Sequence, residues 1–312
     1  MSIIEKALDK LGPKPSIEQA TPPINPRDEA SGVGRAAQNE FKAEPEHAVN
    51  KQSSPAPRPD YDAHQASRQL NLDFNKLRAR GLLTSEDERS QMAEEYRMIK
   101  RPILANAFGA NPVKDGNLVM VTSALPGEGK SFSTINLAIS IAMELDRTVL
   151  LVDADVAKPR IPEYLGFNAD HGLLDILRNG TQDLSSVILR TNIDKLSILP
   201  AGRTYTRATE LLASEAMDRL IRDLATRYPD RLVLFDSPPL LSTSESGVLA
   251  SHMGQILMVV EANKSRKPAL REALSRLEGK CDVVGLILNK GAPHSAGGYY
   301  GYYGYEQSAR QA

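Results

Sequence analysis

The chain has 312 residues, with 38 Lys and Arg against 39 Asp and Glu, and a formal net charge of −1. This balance disfavours a nucleic-acid partner, because nucleic-acid-binding domains carry a strongly basic surface. A single cysteine, Cys281, excludes an internal disulfide and a multi-thiolate metal site, and it indicates a reducing compartment such as the cytoplasm. No apolar run approaches the ~20 residues of a membrane-spanning helix, so we expect no transmembrane segment.

The first twelve residues predict a short amphipathic helix. Ser2 and Glu5 form a capping box, and apolar residues follow at helical spacing as far as Leu11. A helix of this length is marginal alone. Its apolar face therefore either docks on a protein or membrane surface, or frays without a partner.

Residues 13–76 are interpreted as a disordered linker. Nine of the chain's 20 prolines lie between Pro13 and Pro59, and the large apolar residues there are isolated from one another. Such a segment cannot bury enough apolar area to offset the entropy lost on ordering. We expect order to resume at Leu77, with a globular domain over 77–290 and a flexible tail over 291–312.

A second capping box, Ser85 and Glu88, predicts a helix that runs through residues 94–99 and is ended or kinked by Pro102. After this helix, short β-rich runs alternate with segments of helical character. This alternation predicts an α/β fold with a doubly wound, mainly parallel sheet and helices on both faces. The predicted strands are Leu118–Thr122, Thr148–Val152, Leu196–Leu199, Leu232–Phe235, Ile256–Val260 and Val283–Leu288.

A nucleotide-binding P-loop is predicted where the first of these strands ends. Ala124-x4-Gly129-Lys130-Ser131 fits the P-loop pattern, with Ala in place of the first Gly. The glycines let backbone N–H groups close around phosphate, the Lys130 ammonium neutralises phosphate charge, and the Ser131 hydroxyl can bind Mg²⁺. The expected ATP-binding residues of this loop are Pro126, Gly127, Glu128, Gly129, Lys130, Ser131 and Phe132.

Two further strands end in carboxylates. Asp153 and Asp155 follow one apolar strand, and Asp236 follows another. Because ligands bind at the carboxyl ends of parallel strands, we expect all three acids to meet beside the P-loop. Phosphoryl transfer requires a metal ion with oxygen ligands and a group that accepts the proton of the nucleophile. Asp236 fits a Walker B role, and both Asp153 and Asp155 are candidates for metal contact and for the general base.

These motifs together resemble the bacterial tyrosine kinases of exopolysaccharide and capsule export. The residues that carry the resemblance are the P-loop run Pro126–Ser131, the pair Asp153-Ala-Asp155, and Phe235-Asp236-Ser-Pro-Pro239. The opening residues and the stretch after Asp153 are most similar to soluble autokinases associated with exosortase-type systems. The resemblance extends from about Glu94 to Tyr305. It implies a P-loop NTPase fold like that of partitioning ATPases, with ATP and Mg²⁺ as cofactors and tyrosine as the phosphate acceptor.

A family element used in ring assembly is matched by Glu94-x-x-Arg97-x-x-Lys100, with Lys in the third place. The resemblance implies a homo-oligomer in which these residues form contacts, while the alternative is a solvated helix face with an i,i+3 ion pair. The family also often carries Arg two positions after the second acid. This chain has Ala157 there, followed by Lys158 and Arg160, which leaves the identity of the working cation open.

Five of the ten tyrosines lie within seven residues of the glycine-rich tail: Tyr299, Tyr300, Tyr302, Tyr303 and Tyr305. Such a cluster shows neither strand nor helix periodicity. It is interpreted as a set of phosphoacceptors that a neighbouring subunit phosphorylates in trans, and the alternative is a self-associating aromatic tract. Asn289 at the last strand end matches an adenine-contacting position in related folds, although an Asn there equally favours a turn.

The resemblance also implies partners. Because the chain has no predicted membrane span, we expect a membrane-embedded polysaccharide copolymerase to recruit it to the inner face of the plasma membrane and activate it, and a tyrosine phosphatase to oppose it. Two other functions stay open. A partitioning-type ATPase switch would need a signature lysine where this chain has Leu125, and an ATP-binding scaffold would not need the intact set of acids.

Overall fold

The computed structural model describes residues 69–87, 89–179, 184–204, 206–227 and 230–291. The predicted N-terminal helix, the linker as far as residue 68 and the tyrosines of the tail lie outside these residues.

A single eight-stranded sheet organises the described chain, with strand order β1-β4-β5-β3-β6-β2-β7-β8. All pairs are parallel except β4 with β5. This topology confirms the predicted doubly wound, mainly parallel α/β fold and all six predicted strands. The strands are β1 Gln69–Leu70, β2 Leu118–Ser123, β3 Thr148–Asp153, β4 Leu189–Thr191, β5 Leu196–Leu199, β6 Arg231–Asp236, β7 Gln255–Glu261 and β8 Val284–Asn289.

Helices cover both faces of the sheet because successive strand residues point to opposite sides. Val119 and Val121 of β2 pack in one apolar core with helices α1 to α4, whereas Leu118 and Met120 pack in a second core with α5 to α8. The helices are α1 Phe74–Ala79, α2 Gln91–Phe108, α3 Lys130–Ala142, α4 Ile161–Leu165, α5 Leu173–Asn179, α6 Glu215–Arg227, α7 Glu245–Ala250 and α8 Lys267–Ser275. Two short 3₁₀ helices lie at Leu184–Ser186 and Thr209–Ala213.

The predicted start of helix α2 is wrong, and Pro102 does not end the helix. Its N-cap is Ser90, whose hydroxyl accepts a hydrogen bond from Ala93 N at 3.1 Å, and the helix continues through Pro102 to Phe108. The predicted cap residue Ser85 lies in a turn before the helix, next to a hydrogen-bonded pair formed by Thr84 and Asp87. Proline is tolerated inside because α2 buries apolar side chains on both sides of it against the core, which offsets the lost helical hydrogen bond.

Order begins earlier than predicted. Residues 69–76, which we assigned to the linker, form strand β1 and the first turn of α1. Two side chains fix this segment: Asp73 caps α1, and Asn192 exchanges hydrogen bonds with the backbone N–H and C=O of Leu72. Strands β1 and β4 were both missed, because two or three residues are too short for a periodic pattern to register.

The fold brings the carboxyl ends of β2, β3, β6, β7 and β8 to one edge of the sheet. The first three carry the P-loop and the acidic motifs, and the last two end beside the P-loop. None of the helices in the described ranges is long and apolar enough to cross a bilayer.

Candidate active site

The P-loop is a tight turn between β2 and α3 whose shape depends on two glycines. Gly127 has φ +87° and Gly129 has φ +101°, both in the left-handed region that side chains disfavour. Gly129 is the N-cap of α3, and because glycine has no side chain, no side-chain cap occupies the first N–H groups of the helix. The first N–H groups of α3 and the positive end of its dipole therefore suit a phosphate.

Glu128 fastens the loop from within. Its carboxylate is buried, accepts a hydrogen bond from Leu125 N at 2.8 Å, and accepts another from the Ser265 hydroxyl. Its carbonyl oxygen accepts a hydrogen bond from Asn289 Nδ2 at 2.9 Å. The structure therefore places the Glu128 side chain behind the loop, where it braces the turn. The amide of Asn289 is engaged with the loop backbone and at the same time borders the cleft described below.

The three predicted acids meet where the sequence analysis placed them. Asp153 and Asp236 are register partners at the ends of the adjacent strands β3 and β6. Asp155 lies two residues further along the chain, and all three side chains are buried. Ile161 N donates to Asp153 Oδ2 at 3.1 Å, so the start of α4 holds that carboxylate in place.

Lys130 joins the P-loop to this acidic cluster. Its Nζ lies 2.6 Å from Asp155 Oδ2 and 3.4 Å from Asp236 Oδ1, and it donates to the Ser131 hydroxyl at 3.3 Å. Burial acts to lower the pKa of Lys130, but the carboxylates of Asp236 and Asp155 outweigh it and raise that pKa. The lysine is therefore a fixed positive charge at neutral pH.

Burial also perturbs the acids. Desolvation, reinforced by the nearby charge of Asp236, raises the pKa of Asp153 well above its ordinary value. Desolvation raises the pKa of Asp236 as well, against the opposing effects of Lys130 and a hydrogen bond from Ser131. Three buried carboxyl groups thus share a single lysine, in surroundings that solvate charge poorly. A bound cation would be stabilised in such a site.

Two carboxylate oxygens support that interpretation directly. Asp153 Oδ1 and Asp236 Oδ2 are buried and have no hydrogen-bond partner among the described residues. Unpaired buried oxygens are costly unless something else binds them. These oxygens and the Ser131 hydroxyl are of the type that Mg²⁺ prefers, so the chemistry of the residues present is compatible with the predicted metal.

A cleft of about 890 Å³ opens above the loop and the acids. Most of the predicted site residues line it: Pro126, Gly127, Gly129, Lys130, Ser131, Phe132, Asp155 and Asn289. Its remaining lining comes from Ala157, Lys158, Arg160, Tyr164, Pro238, Pro239, Ser242, Thr243 and Lys290. Among these, Tyr164, Ser242, Thr243 and Lys290 were not predicted, and for Lys290 the one available signal was its position directly after a strand end.

The predicted ring element divides into two parts. Glu94 and Arg97 are partly exposed and form an i,i+3 ion pair. Lys100 is buried: its Nζ donates to the Ser140 carbonyl at 2.6 Å and pairs with Glu144 at 2.6 Å. The prediction of an intersubunit role for Lys100 is therefore corrected, because its ammonium satisfies the carboxyl end of α3 within the same chain.

Known proteins resemble this chain in sequence. A family profile described as an AAA domain matches residues 117–278. The tyrosine-protein kinase YwqD of Bacillus subtilis is 30% identical over 227 residues, which cover 71% of this chain and 92% of YwqD. The putative tyrosine-protein kinase EpsB of Ralstonia solanacearum is 35% identical over 196 residues, which cover 61% of this chain but only 26% of EpsB. The match thus spans a minor part of EpsB.

A solved structure agrees with these relatives. The kinase domain of VpsO is 33% identical, with a TM-score of 0.56, and the match covers 67% of this chain and 100% of that domain. The similarity to YwqD extends over nearly all of that protein, and the P-loop lysine lies beside the acids at the ends of β3 and β6. The chain therefore belongs to the family of bacterial tyrosine-protein kinases.

Proposed function

We propose that this chain is an ATP-dependent protein-tyrosine autokinase that phosphorylates the C-terminal tyrosines of a neighbouring copy. One observation carries the proposal: the ammonium group of the P-loop residue Lys130 lies within 3.4 Å of carboxylate oxygens of both Asp155 and Asp236. The tyrosine-rich segment supplies the acceptor. It begins at Tyr299, separated by eight residues from Lys290, which lines the same cleft.

Different residues contact the phosphates, the metal ion and the rest of the cleft. Gly127, Gly129 and the N-terminus of α3 present backbone N–H groups to phosphate, and Lys130 neutralises its charge. Ser131, Asp153 and Asp236 would hold Mg²⁺, which supplies neutralisation of the β- and γ-phosphate oxygens when bound. Phe132 and Tyr164 border the cleft as apolar surfaces.

Geometry favours Asp155 over Asp153 as the general base. Asp155 lines the cleft, whereas Asp153 is fully buried with one oxygen fixed by Ile161 N. In the proposed step the tyrosine Oη forms a bond to the γ-phosphorus, the bond from that phosphorus to ADP breaks, and Asp155 takes the phenolic proton.

Transfer between copies depends on how far the tail reaches from the cleft. Eight residues separate Lys290 from Tyr299, and the nine steps along the chain let the first acceptor reach at most about 30 Å from the cleft rim. Each phosphate adds about −1.5 to −2 charges. We propose that several phosphates make adjacent tails repel and loosen a ring in which Glu94 and Arg97 form contacts.

The cellular role rests on the family resemblance. We propose that the chain regulates exopolysaccharide synthesis or export from the inner face of the plasma membrane. A membrane-embedded copolymerase would recruit and activate it, and a tyrosine phosphatase would reverse its action. Full-rate kinase activity of the isolated chain would contradict the need for an activator.

Phosphate mapping tests the proposed activity. The purified chain is incubated with ATP and Mg²⁺, released phosphate is measured, and modified residues are located by mass spectrometry. Phosphotyrosine in the tail is the expected result. Free phosphate without phosphotyrosine would indicate an ATPase switch instead, and neither product, with or without membranes containing a copolymerase, would indicate a scaffold. Exposed Leu125, in place of the switch lysine, weighs against the ATPase.

A further inference from the structure

The end of strand β8 is fastened to the nucleotide loop by two side chains. Asn289 Nδ2 donates to the Glu128 carbonyl at 2.9 Å, and Lys290 Nζ donates to the Gly127 carbonyl at 2.8 Å. Asn289 is the last residue of the strand, and Lys290 is the next. Two consecutive carbonyl groups of the loop are thus held by the residues from which the tyrosine-rich tail departs.

These hydrogen bonds determine how the loop presents its N–H groups. In a planar trans peptide the C=O and the following N–H point in opposite directions. Fixing the carbonyls of Gly127 and Glu128 therefore directs the N–H groups of Glu128 and Gly129 away from β8. Asn289 lies close against the loop, because a Cβ at position 129 would overlap Asn289 Nδ2.

Lys290 is itself held in position by Glu261, at the end of β7. Its Nζ lies 3.2 Å from Glu261 Oε1, while Lys264 lies 3.2 Å from Glu261 Oε2. The backbone adds a further tie, since Ala262 N donates to the Asn289 carbonyl at 2.8 Å. Glu261 therefore serves as the support that sets where the Lys290 ammonium lies.

We propose that Lys290, held by Glu261, is a positioning residue that keeps the P-loop in its phosphate-binding shape and couples the base of the tail to nucleotide affinity. This inference rests on the proposed function, because it assumes that the loop binds a nucleotide. Coupling is reciprocal: whatever displaces Lys290 weakens phosphate binding, and bound nucleotide strengthens the attachment of the tail base.

Substitution of Glu261 distinguishes a positioning role of Lys290 from a direct effect of its charge on phosphate. If Lys290 acted on phosphate only through its charge, neutralising the neighbouring carboxylate by Glu261→Gln would tighten binding of an anion. If Lys290 acts by holding the Gly127 carbonyl, the same substitution loosens its support and weakens binding. The two mechanisms therefore predict changes of opposite sign.

The experiment is a binding titration by calorimetry on the full chain, with Mg²⁺-ADP and with inorganic pyrophosphate. Lys290→Met and Glu261→Gln are each expected to raise both dissociation constants about tenfold, the effect of one charged hydrogen bond. The double variant should be no weaker than Lys290→Met alone, because the two residues act in series. The matched control, Lys264→Met, removes the other cation bound to Glu261 and should stay within about twofold of the unchanged chain.

Three outcomes would contradict the proposal. They are tighter binding by Glu261→Gln, equal losses in Lys264→Met and Lys290→Met, and a loss confined to ADP that spares pyrophosphate, which would indicate contact with the nucleoside. If the unchanged chain binds neither ligand, the proposed function fails instead. Thermal unfolding without ligand is measured for each variant, since a uniform loss of stability in Lys290→Met and Lys264→Met would reduce the effect to a structural one.

Discussion

Lys130 Nζ lies 2.6 Å from Asp155 Oδ2, so the lysine of the nucleotide loop is ion-paired with a carboxylate from a different strand. The same ammonium lies 3.4 Å from Asp236 Oδ1. Both partners are almost completely buried. The cation thus stabilises the fold and the site together, and nucleotide must compete with the acids for it.

Replacing this cation should destabilise the fold. Lys130→Met leaves the buried carboxylates without their counter-charge, and we expect the free energy of unfolding to fall by about 3 kcal/mol. Urea unfolding without nucleotide measures it. The control is Lys158→Met in the same cleft, whose side chain is exposed and which should change stability by less than about 0.5 kcal/mol. Equal effects of the two substitutions would contradict the assigned role of Lys130.

Asp153 should make stability depend on pH. Desolvation raises its pKa in the folded chain, so its favourable contribution is present when it is protonated and is lost as pH rises through that raised pKa. Asparagine does not ionise. The melting temperature of Asp153→Asn relative to the unchanged chain should therefore increase from pH 5 to pH 8 in Mg²⁺-free buffer. A difference that stays constant across this range would show that the carboxyl does not titrate as the burial implies.

Asp155 is expected to affect turnover more than binding. Asp155→Asn removes the proton acceptor, and loss of a general base typically slows the chemical step by about 10²–10⁴-fold. We expect kcat for tail phosphorylation to fall by about 100-fold or more, while the Kd for Mg²⁺-ADP changes by less than about fivefold. Asp153→Asn is the comparison, since the loss of a metal ligand should weaken Mg²⁺-dependent nucleotide binding. A large kcat loss in Asp153→Asn with none in Asp155→Asn would reverse the two roles.

The sequence predicted the parts of the fold that depend on strong local patterns. Strands β3 and β6 each have four consecutive apolar residues followed by an acid, so both their existence and the meeting of Asp153 with Asp236 followed from parallel-sheet geometry. Strands β1 and β4 are too short to show a period. They depend on tertiary pairing, which no local pattern encodes.

Side-chain direction limited the prediction of the site. Glu128 belongs to the P-loop motif, yet its carboxylate turns back to Leu125 N and Ser265. Lys100 continues a charged repeat along α2, yet its ammonium is buried against the end of α3. In both cases a distant partner decides the direction, and spacing along the chain carries no information about that partner.

Lys100 and Arg97 should therefore respond differently to substitution. Lys100→Met removes a buried charged hydrogen bond to Ser140, and we expect the free energy of unfolding to fall by about 2 kcal/mol without a change in oligomeric state. Arg97→Ala should reduce the oligomer fraction and alter stability by less than about 1 kcal/mol. Urea unfolding and sedimentation velocity measure the two effects. If Lys100→Met dissociates the oligomer without changing stability, Lys100 does contribute to the contact between subunits.

Phosphate transfer between two different chains tests the central claim most directly. A full-length Lys130→Met chain, which keeps its tail but lacks the phosphate-binding lysine, is mixed with a chain that ends at Lys290, and ATP and Mg²⁺ are added. The account predicts phosphotyrosine in the tail of the Lys130→Met chain, at one or more of residues 299–305, and none when either chain is incubated alone. If the unchanged chain phosphorylates its own tail but the mixture carries no phosphotyrosine, transfer between copies is contradicted.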